Sequence, residues 1–112
     1  MSVKIERLND QFQKEISYIL QTEIKDQDIH FVTITGCEIT NDLSFCNVYF
    51  TVLDTSKKDS TLDSLKGAAS FIRGKLSQRV EVRHTPELRF IYDESIEYGN
   101  KIEKIIEKIN EE

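Results

Sequence analysis

The strings FVTITGCEIT (Phe31–Thr40) and LSFCNVYFTVL (Leu43–Leu53), joined by Asn41-Asp42, decide the fold. In the first, Val32 and Ile34 share one face of an extended chain. Past Gly36 the apolar positions are Cys37 and Ile39, so the alternation slips by one residue. A single slip at a glycine is what a β-bulge produces, one strand carrying an extra residue. In the second string Cys46, Val48, Phe50 and Val52 alternate with Phe45, Tyr49 and Leu53, which reads as a strand with both faces largely covered. Asn41-Asp42 supplies the turn, and the pair is expected to form a hairpin.

Upstream, Ile5, Leu8, Phe12, Ile16, Ile19, Leu20 and Ile24 recur at steps of three and four from Val3 to about Lys25, the pattern of a long amphipathic helix. Downstream, the polar run from Asp54 to Asp59 ends at Ser60-Thr61-Leu62-Asp63, a variant capping box expected to open a second helix. Leu62, Leu65, Ala68, Ala69, Ile72 and Leu76 keep helical spacing. Gly67, Ser70 and Gly74 weaken the middle, so a kink or break is expected near Ala68 to Ser70. Val80 to Arg83 and Leu88 to Tyr92 read as short extended runs. Pro86 lacks a ladder donor, which places the start of the strand proper at about Glu87. Ser95 is expected to cap a last helix with Ile102, Ile105, Ile106 and Ile109 as its stripe. The order is helix, strand, strand, helix-kink-helix, strand, helix: an α+β domain with helices on one face of a three-stranded sheet.

No repeat or linker divides the 112 residues, and residues 1–112 are expected to form one domain. At this size about two-thirds of the unfolded surface can be buried, which leaves little room for a deep substrate cavity. Cys37 and Cys46 form no CxxC motif, and His30 and His84 are the only histidines, so no zinc signature is present. The opening MSVKIERLND lacks the apolar run of a secretion signal and no segment is long and apolar enough to span a bilayer; the expectation is a cytoplasmic protein, with no membrane partner and reduced thiols.

The formal charge of −5 is unevenly spread. From Lys57 to Tyr92 eight basic residues face four acidic ones, a net of +4, and the rest of the chain carries −9. Four of the five arginines, Arg73, Arg79, Arg83 and Arg89, lie in the positive segment, and the planar guanidinium suits phosphate. If helical geometry holds, Lys66, Arg73 and the turn after Lys75 lie near one side of the second helix, with Arg79 and Arg83 extending the patch toward the third strand. The plainer alternative is a set of solvated surface charges, some paired with Glu81 and Glu87. Phe71 is the one aromatic interleaved with the cations, and its spacing points it to the core, so contacts should favour phosphate and shape over base stacking.

Enzyme readings are weak. His84 with Glu87, Asp93 and Glu94 offers a base and carboxylates, but Glu87 flanks a proline turn and Asp93-Glu94-Ser95 resembles a helix entry where acids suit the dipole. There is no Gly-rich phosphate loop, no G-x-S-x-G and no H-E-x-x-H. Neither a catalytic residue nor a cofactor or small-molecule substrate is expected.

Element order and four strings resemble the ribosome-binding factor A family over nearly the whole chain: EIKDQDIHFVTIT (Glu23 to Thr35), NDLSFCNVYFTVL (Asn41 to Leu53), AASFIRGKL (Ala68 to Leu76) and RHTPELRFIYDESIEYGNKIEKII (Arg83 to Ile106). The resemblance implies a fold similar to a type II KH domain, whose usual GXXG loop clamps nucleotides, here replaced by a helix-kink-helix with an Ala-x-Gly pattern. The matching string is Ala68-Ala69-Ser70, with Ser70 in place of the glycine. It further implies a monomeric, non-catalytic factor that binds free small ribosomal subunits and 16S rRNA, assists late maturation including 5′-end processing, and serves cold adaptation. The phosphate contacts expected on this reading are Lys66, Arg73, Lys75, Arg79, Arg83 and Arg89, with Lys57 and Lys58 as lesser ones. The alternative is a protein-interaction module using the acidic C-terminal helix.

Overall fold

A computed structural model describes residues 3–26, 29 and 31–95. The first helix, α1, spans Val3–Thr22 and buries Phe12, Ile16, Ile19 and Leu20, the stripe expected from its period. Strands β1 (Val32–Ile39) and β2 (Phe45–Val52) pair antiparallel, with a register shift between Ile34 and Gly36. Thr35 is therefore the extra residue, and the slip in the sequence is a bulge. The turn between the strands places Leu43 at φ 62, and Asp42 anchors it by accepting from the Thr40 hydroxyl at 2.8 Å and the Ser44 amide at 3.0 Å.

A short 3-10 turn, Thr55–Lys57, leads directly into α2, Lys58–Arg79. The cap is not the Ser60 box. Asp54 accepts from the Ser56 amide at 3.0 Å and so caps the 3-10 turn, while the Ser60 hydroxyl donates to the Lys57 carbonyl. The break expected near Ala68, Ala69 and Ser70 is absent: α2 is a single continuous helix of 22 residues. Two facts account for this. Thr61, Leu65, Ile72 and Leu76 are buried along one continuous stripe that anchors both halves to the same core. Alanine is the best helix former, and the helical glycines Gly67 and Gly74 have no positive φ and face open space, so nothing requires a local departure.

Val80 ends α2, its amide bonding the Leu76 carbonyl at 2.9 Å, and its buried side chain joins the core. The run expected to be extended, Val80 to Arg83, is a loop rather than a strand. After the buried Pro86, β3 spans Glu87–Tyr92 and lies parallel to β2, giving the sheet order β1-β2-β3. The KH-like α+β architecture follows, with both helices on one face. Val32, Ile34, Ile39, Cys46, Val48, Phe50, Leu88 and Phe90 point to that face, each burial of this kind worth roughly 1.5–3 kcal/mol. Cys46 is fully buried; contact with it, together with burial, pushes the Cys37 thiol well up. The other face of β2 is half-covered rather than buried, and Leu53 is exposed. Ser95 does not act as the expected cap: Glu94 and Ser95 are already helical, and the Ser95 amide and hydroxyl donate to Asp93, while Ile102, Ile105, Ile106 and Ile109 lie outside the described residues.

Candidate nucleic-acid interface

The two outer edges of the sheet are treated differently. An unpaired edge strand invites further pairing unless something blocks it. On the β1 edge, α1 does so: Gln13 donates to the Ile34 carbonyl at 3.1 Å, and Asn9 accepts from the Ile39 amide at 2.9 Å. On the β3 edge the Glu87 and Asp93 amides bond the Ser44 and Phe50 carbonyls of the β2 side. The alternation of a parallel ladder then turns the backbone groups of Leu88 and Phe90 away from β2. They border an open groove of about 710 Å³ between β3 and the middle of α2, lined by Lys66, Ala69, Ser70, Glu87 and Arg89, with Asn47 and Ile91 beyond. The small side chains of Ala69 and Ser70 keep this wall of the groove low.

The expected basic residues do not form one patch. One turn of α2 advances 3.6 residues, so Lys66 and Arg73 fall on the flank toward β3, and Lys75 and Arg79 on the flank toward α1. The contacts agree. Lys75 lies 3.9 Å from Glu23 and over the Phe71 ring; Arg79 pairs with Glu15 and stacks on Tyr18 at 4.4 Å. The Glu15 carboxylate raises the Arg79 pKa further. Phe71 is 47% exposed beneath Lys75, which corrects its expected core position; it sits one step off the Leu65, Ile72 and Leu76 stripe.

Arg73 has a structural task. Its Nε and Nη2 donate to the Thr85 carbonyl at 3.0 and 2.7 Å, clamping the loop that carries Arg83 and His84 to the side of α2. Arg83 and His84 are exposed in that loop. Lys66 is exposed at the groove and makes no ion pair among the described residues. Arg89 stands on the sheet face away from the helices, 4.1 Å over the Phe45 ring. Lys57 is exposed in the 3-10 turn, and Lys58 stacks over Tyr92 at 5.3 Å. Four cations thus sit over aromatic rings. Of these, the Phe71–Lys75 pair is readable from its four-residue spacing on α2, whereas the other three join separate elements; the odd-numbered row of β2 and β3 contained the Phe45–Arg89 signal once their register is known.

Of the acids weighed with His84, Asp93 is engaged with Thr35 and Ser95, whose hydrogen bonds hold its carboxyl below the usual range. Among the described residues no group of three or more His, Cys, Asp or Glu side chains is placed to hold a metal ion, and no helix is long and apolar enough to cross a membrane.

An α1-β1-β2-α2-β3 chain with an unbroken helix where a KH domain carries its nucleotide-clamping loop, and with an open groove beside its last strand, defines a small KH-like binding domain. A family model described as Ribosome-binding factor A matches residues 4–106. Ribosome-binding factor A of Macrococcus caseolyticus is 43% identical over 111 residues, covering 98% of this chain and 97% of the relative; that of Staphylococcus carnosus is 46% identical over 109 residues, covering 96% and 95%. The crystal structure of ribosome-binding factor A from Thermus thermophilus superposes with a TM-score of 0.73 at 22% identity, covering 79% of this chain and 94% of that one. A homology model of the Thermus thermophilus factor, fitted into a cryo-EM map of a 30S–RbfA complex, gives 0.67 at 22% identity over 79% and 93%. The chain belongs to the ribosome-binding factor A family.

Proposed function

We propose that this chain acts as a single-domain, monomeric, non-catalytic factor in the cytoplasm that binds the immature small ribosomal subunit through 16S rRNA. There it assists late maturation, including processing of the 5′ end, and supports growth in the cold. Family membership supports the ribosomal partner, and the complex of the Thermus thermophilus relative with the 30S subunit gives the subunit. The observation that carries the placement of the RNA is the groove beside β3, where exposed Lys66 and the small side chains of Ala69 and Ser70 let a phosphate chain approach both a cation and peptide groups. Arg83, held nearby by the Arg73 clamp, extends this flank. Contacts of this kind favour the subunit conformation that offers them, and binding energy shifts the population of rRNA folds without any bond being made or broken.

The test is sedimentation of cell extract with detection of the protein. The wild type migrates with free small subunits and is absent from complete ribosomes, and Lys66→Glu with Arg83→Glu moves it to the top of the gradient with an unchanged melting temperature. Undiminished co-migration of that variant overturns the assigned flank.

A further inference from the structure

A second cleft, of about 410 Å³, opens where the first half of α1 crosses the far end of β1 and the turn that follows it. Its polar lining includes Asn9 of α1, Glu38 of β1, Asn41 of the turn and Asn47 of β2, with Ile5 and Ile39 as its apolar part. Glu38 and Asn47 are register partners on the sheet face away from the helices, so their side chains stand side by side. Glu38 carries the one charge among the described residues that line the cleft, and no cation is among them to receive a phosphate.

The hydrogen-bonding capacity of this lining is largely unspent. Asn9 uses its carbonyl oxygen on the Ile39 amide at 2.9 Å, which fixes the carboxamide and leaves its amino group to donate elsewhere. Glu38 Oε2 accepts from the Tyr49 hydroxyl at 3.1 Å; a carboxylate has about four lone-pair sites, so Oε1 and a further site on Oε2 remain. The side chains of Asn41 and Asn47 make no hydrogen bond among the described residues, whereas the Thr40 hydroxyl is committed to Asp42 and Phe45. The cleft thus offers a carboxylate acceptor beside carboxamides that both donate and accept. A lysine or arginine side chain brings donors only and would leave the carboxamide amino groups unmatched. A nucleobase brings both. Guanine alone of the four bases sets two donors side by side, N1–H and the 2-amino group, next to an acceptor, O6. The donors match the two oxygens of Glu38, and O6 matches an asparagine amino group. Uracil, cytosine and adenine each place an acceptor beside their donor, which the carboxylate repels.

We propose that this cleft takes an unpaired guanine of a single-stranded RNA, with Glu38 accepting from N1–H and the 2-amino group and the carboxamides of Asn9, Asn41 and Asn47 around O6. Phosphate contacts position a nucleic acid without reading it, and the cleft supplies the base reading that the groove beside β3 lacks. Asn47 also lines that groove, so a strand whose phosphates lie along Lys66 reaches the cleft by crossing β2. That RNA supplies the base rests on the function proposed above; the choice of guanine rests on the cleft alone.

The test titrates the full chain with the pentanucleotides UUGUU, UUIUU, UUAUU and UUUUU, where I is inosine, and reads affinity and the side-chain amide signals of the three asparagines by NMR. The expected result is a shift of those signals with UUGUU that UUAUU and UUUUU do not produce. Affinity for UUIUU is expected to be about tenfold weaker than for UUGUU, because inosine lacks the 2-amino group and so one bond to the charged acceptor. Glu38→Gln removes the preference for guanine and leaves affinity for UUUUU unchanged. Should Glu38→Gln disturb the core methyl signals, Asn47→Ala serves as the second variant and gives the same loss of preference. Lys66→Glu with Arg83→Glu weakens all four oligonucleotides alike and keeps the preference; if it weakens none while the preference persists, the groove fails and the cleft stands. Equal affinity for all four, or a preference that survives Glu38→Gln in a folded protein, overturns the proposal. So do asparagine shifts produced by N-acetylarginine amide and not by UUGUU, which assign the cleft to a basic side chain of a protein.

Discussion

The two flanks of α2 carry similar numbers of cations and use them in opposite ways. Toward α1, Lys75 and Arg79 each meet a carboxylate and an aromatic ring, so their charge is spent within the molecule. Toward β3, Arg73 meets only a carbonyl, and Lys66 has no carboxylate partner among the described residues. A segment with a net of +4 thus presents its unmatched charge on one flank, beside the groove. The difference lies in the partner element. The flank of α1 that packs against α2 offers Glu15, and the turn just after it offers Glu23, whereas the β3 edge offers backbone.

The largest effect is expected where a cation does structural work. Arg73→Leu removes two charge-assisted hydrogen bonds that share the Thr85 carbonyl, and a bond to a charged group is worth about 1.5–3 kcal/mol net of its exchange with water. A loss of about 2 kcal/mol is expected, lowering the melting temperature by roughly 10 °C in a domain of this size. An unchanged melt would return Arg73 to the list of plain phosphate contacts.

Next in size is the comparison of flanks itself. Lys66→Glu with Arg83→Glu should reduce affinity for purified small subunits at least tenfold, about 1.4 kcal/mol, and flatten the salt dependence by about two phosphate contacts. Lys75→Glu with Arg79→Glu should leave the salt slope near its wild-type value, because those charges are already matched by Glu23 and Glu15. Equal losses from both pairs would show that the ion pairs open on binding. Smaller again is Glu15→Gln with Glu23→Gln, which frees Lys75 and Arg79. Surface pairs are worth about 0–1 kcal/mol, so the melt should barely move while the salt slope steepens.

What the residues disclosed in advance follows the range of the forces involved. The α1 stripe, the hairpin, the bulge at Gly36 and the start of β3 after Pro86 are written in period and local stereochemistry, and each is present. The Ser60 cap is not, because the 3-10 turn that Asp54 caps runs straight into α2, which already begins at Lys58. Charge counting located the positive segment correctly but could not divide it, since Glu15 and Arg79 lie 64 residues apart and meet only when α1 packs on α2. The Arg73 clamp is equally long-range in kind: no periodicity marks a carbonyl in an irregular loop as the partner of a helical arginine.

Residue 70 gives the finest test, because it lies on the flank toward β3, in the wall of the groove. Serine keeps α2 helical at modest cost, whereas glycine there gives up about 0.5 kcal/mol more in conformational entropy. Ser70→Gly should therefore lower stability by about that amount and speed hydrogen exchange of the amides just after residue 70, where the Leu65 and Ile72 anchors stand one on each side. If the groove needs a firmly helical wall, affinity for small subunits falls with it; if close approach of RNA is limited by the serine side chain, affinity rises although stability drops. An altered affinity of either sign ties RNA binding to the groove wall at residue 70. An unchanged affinity together with faster exchange places the contact on Lys66 and Arg83 alone, with the helix backbone as their support.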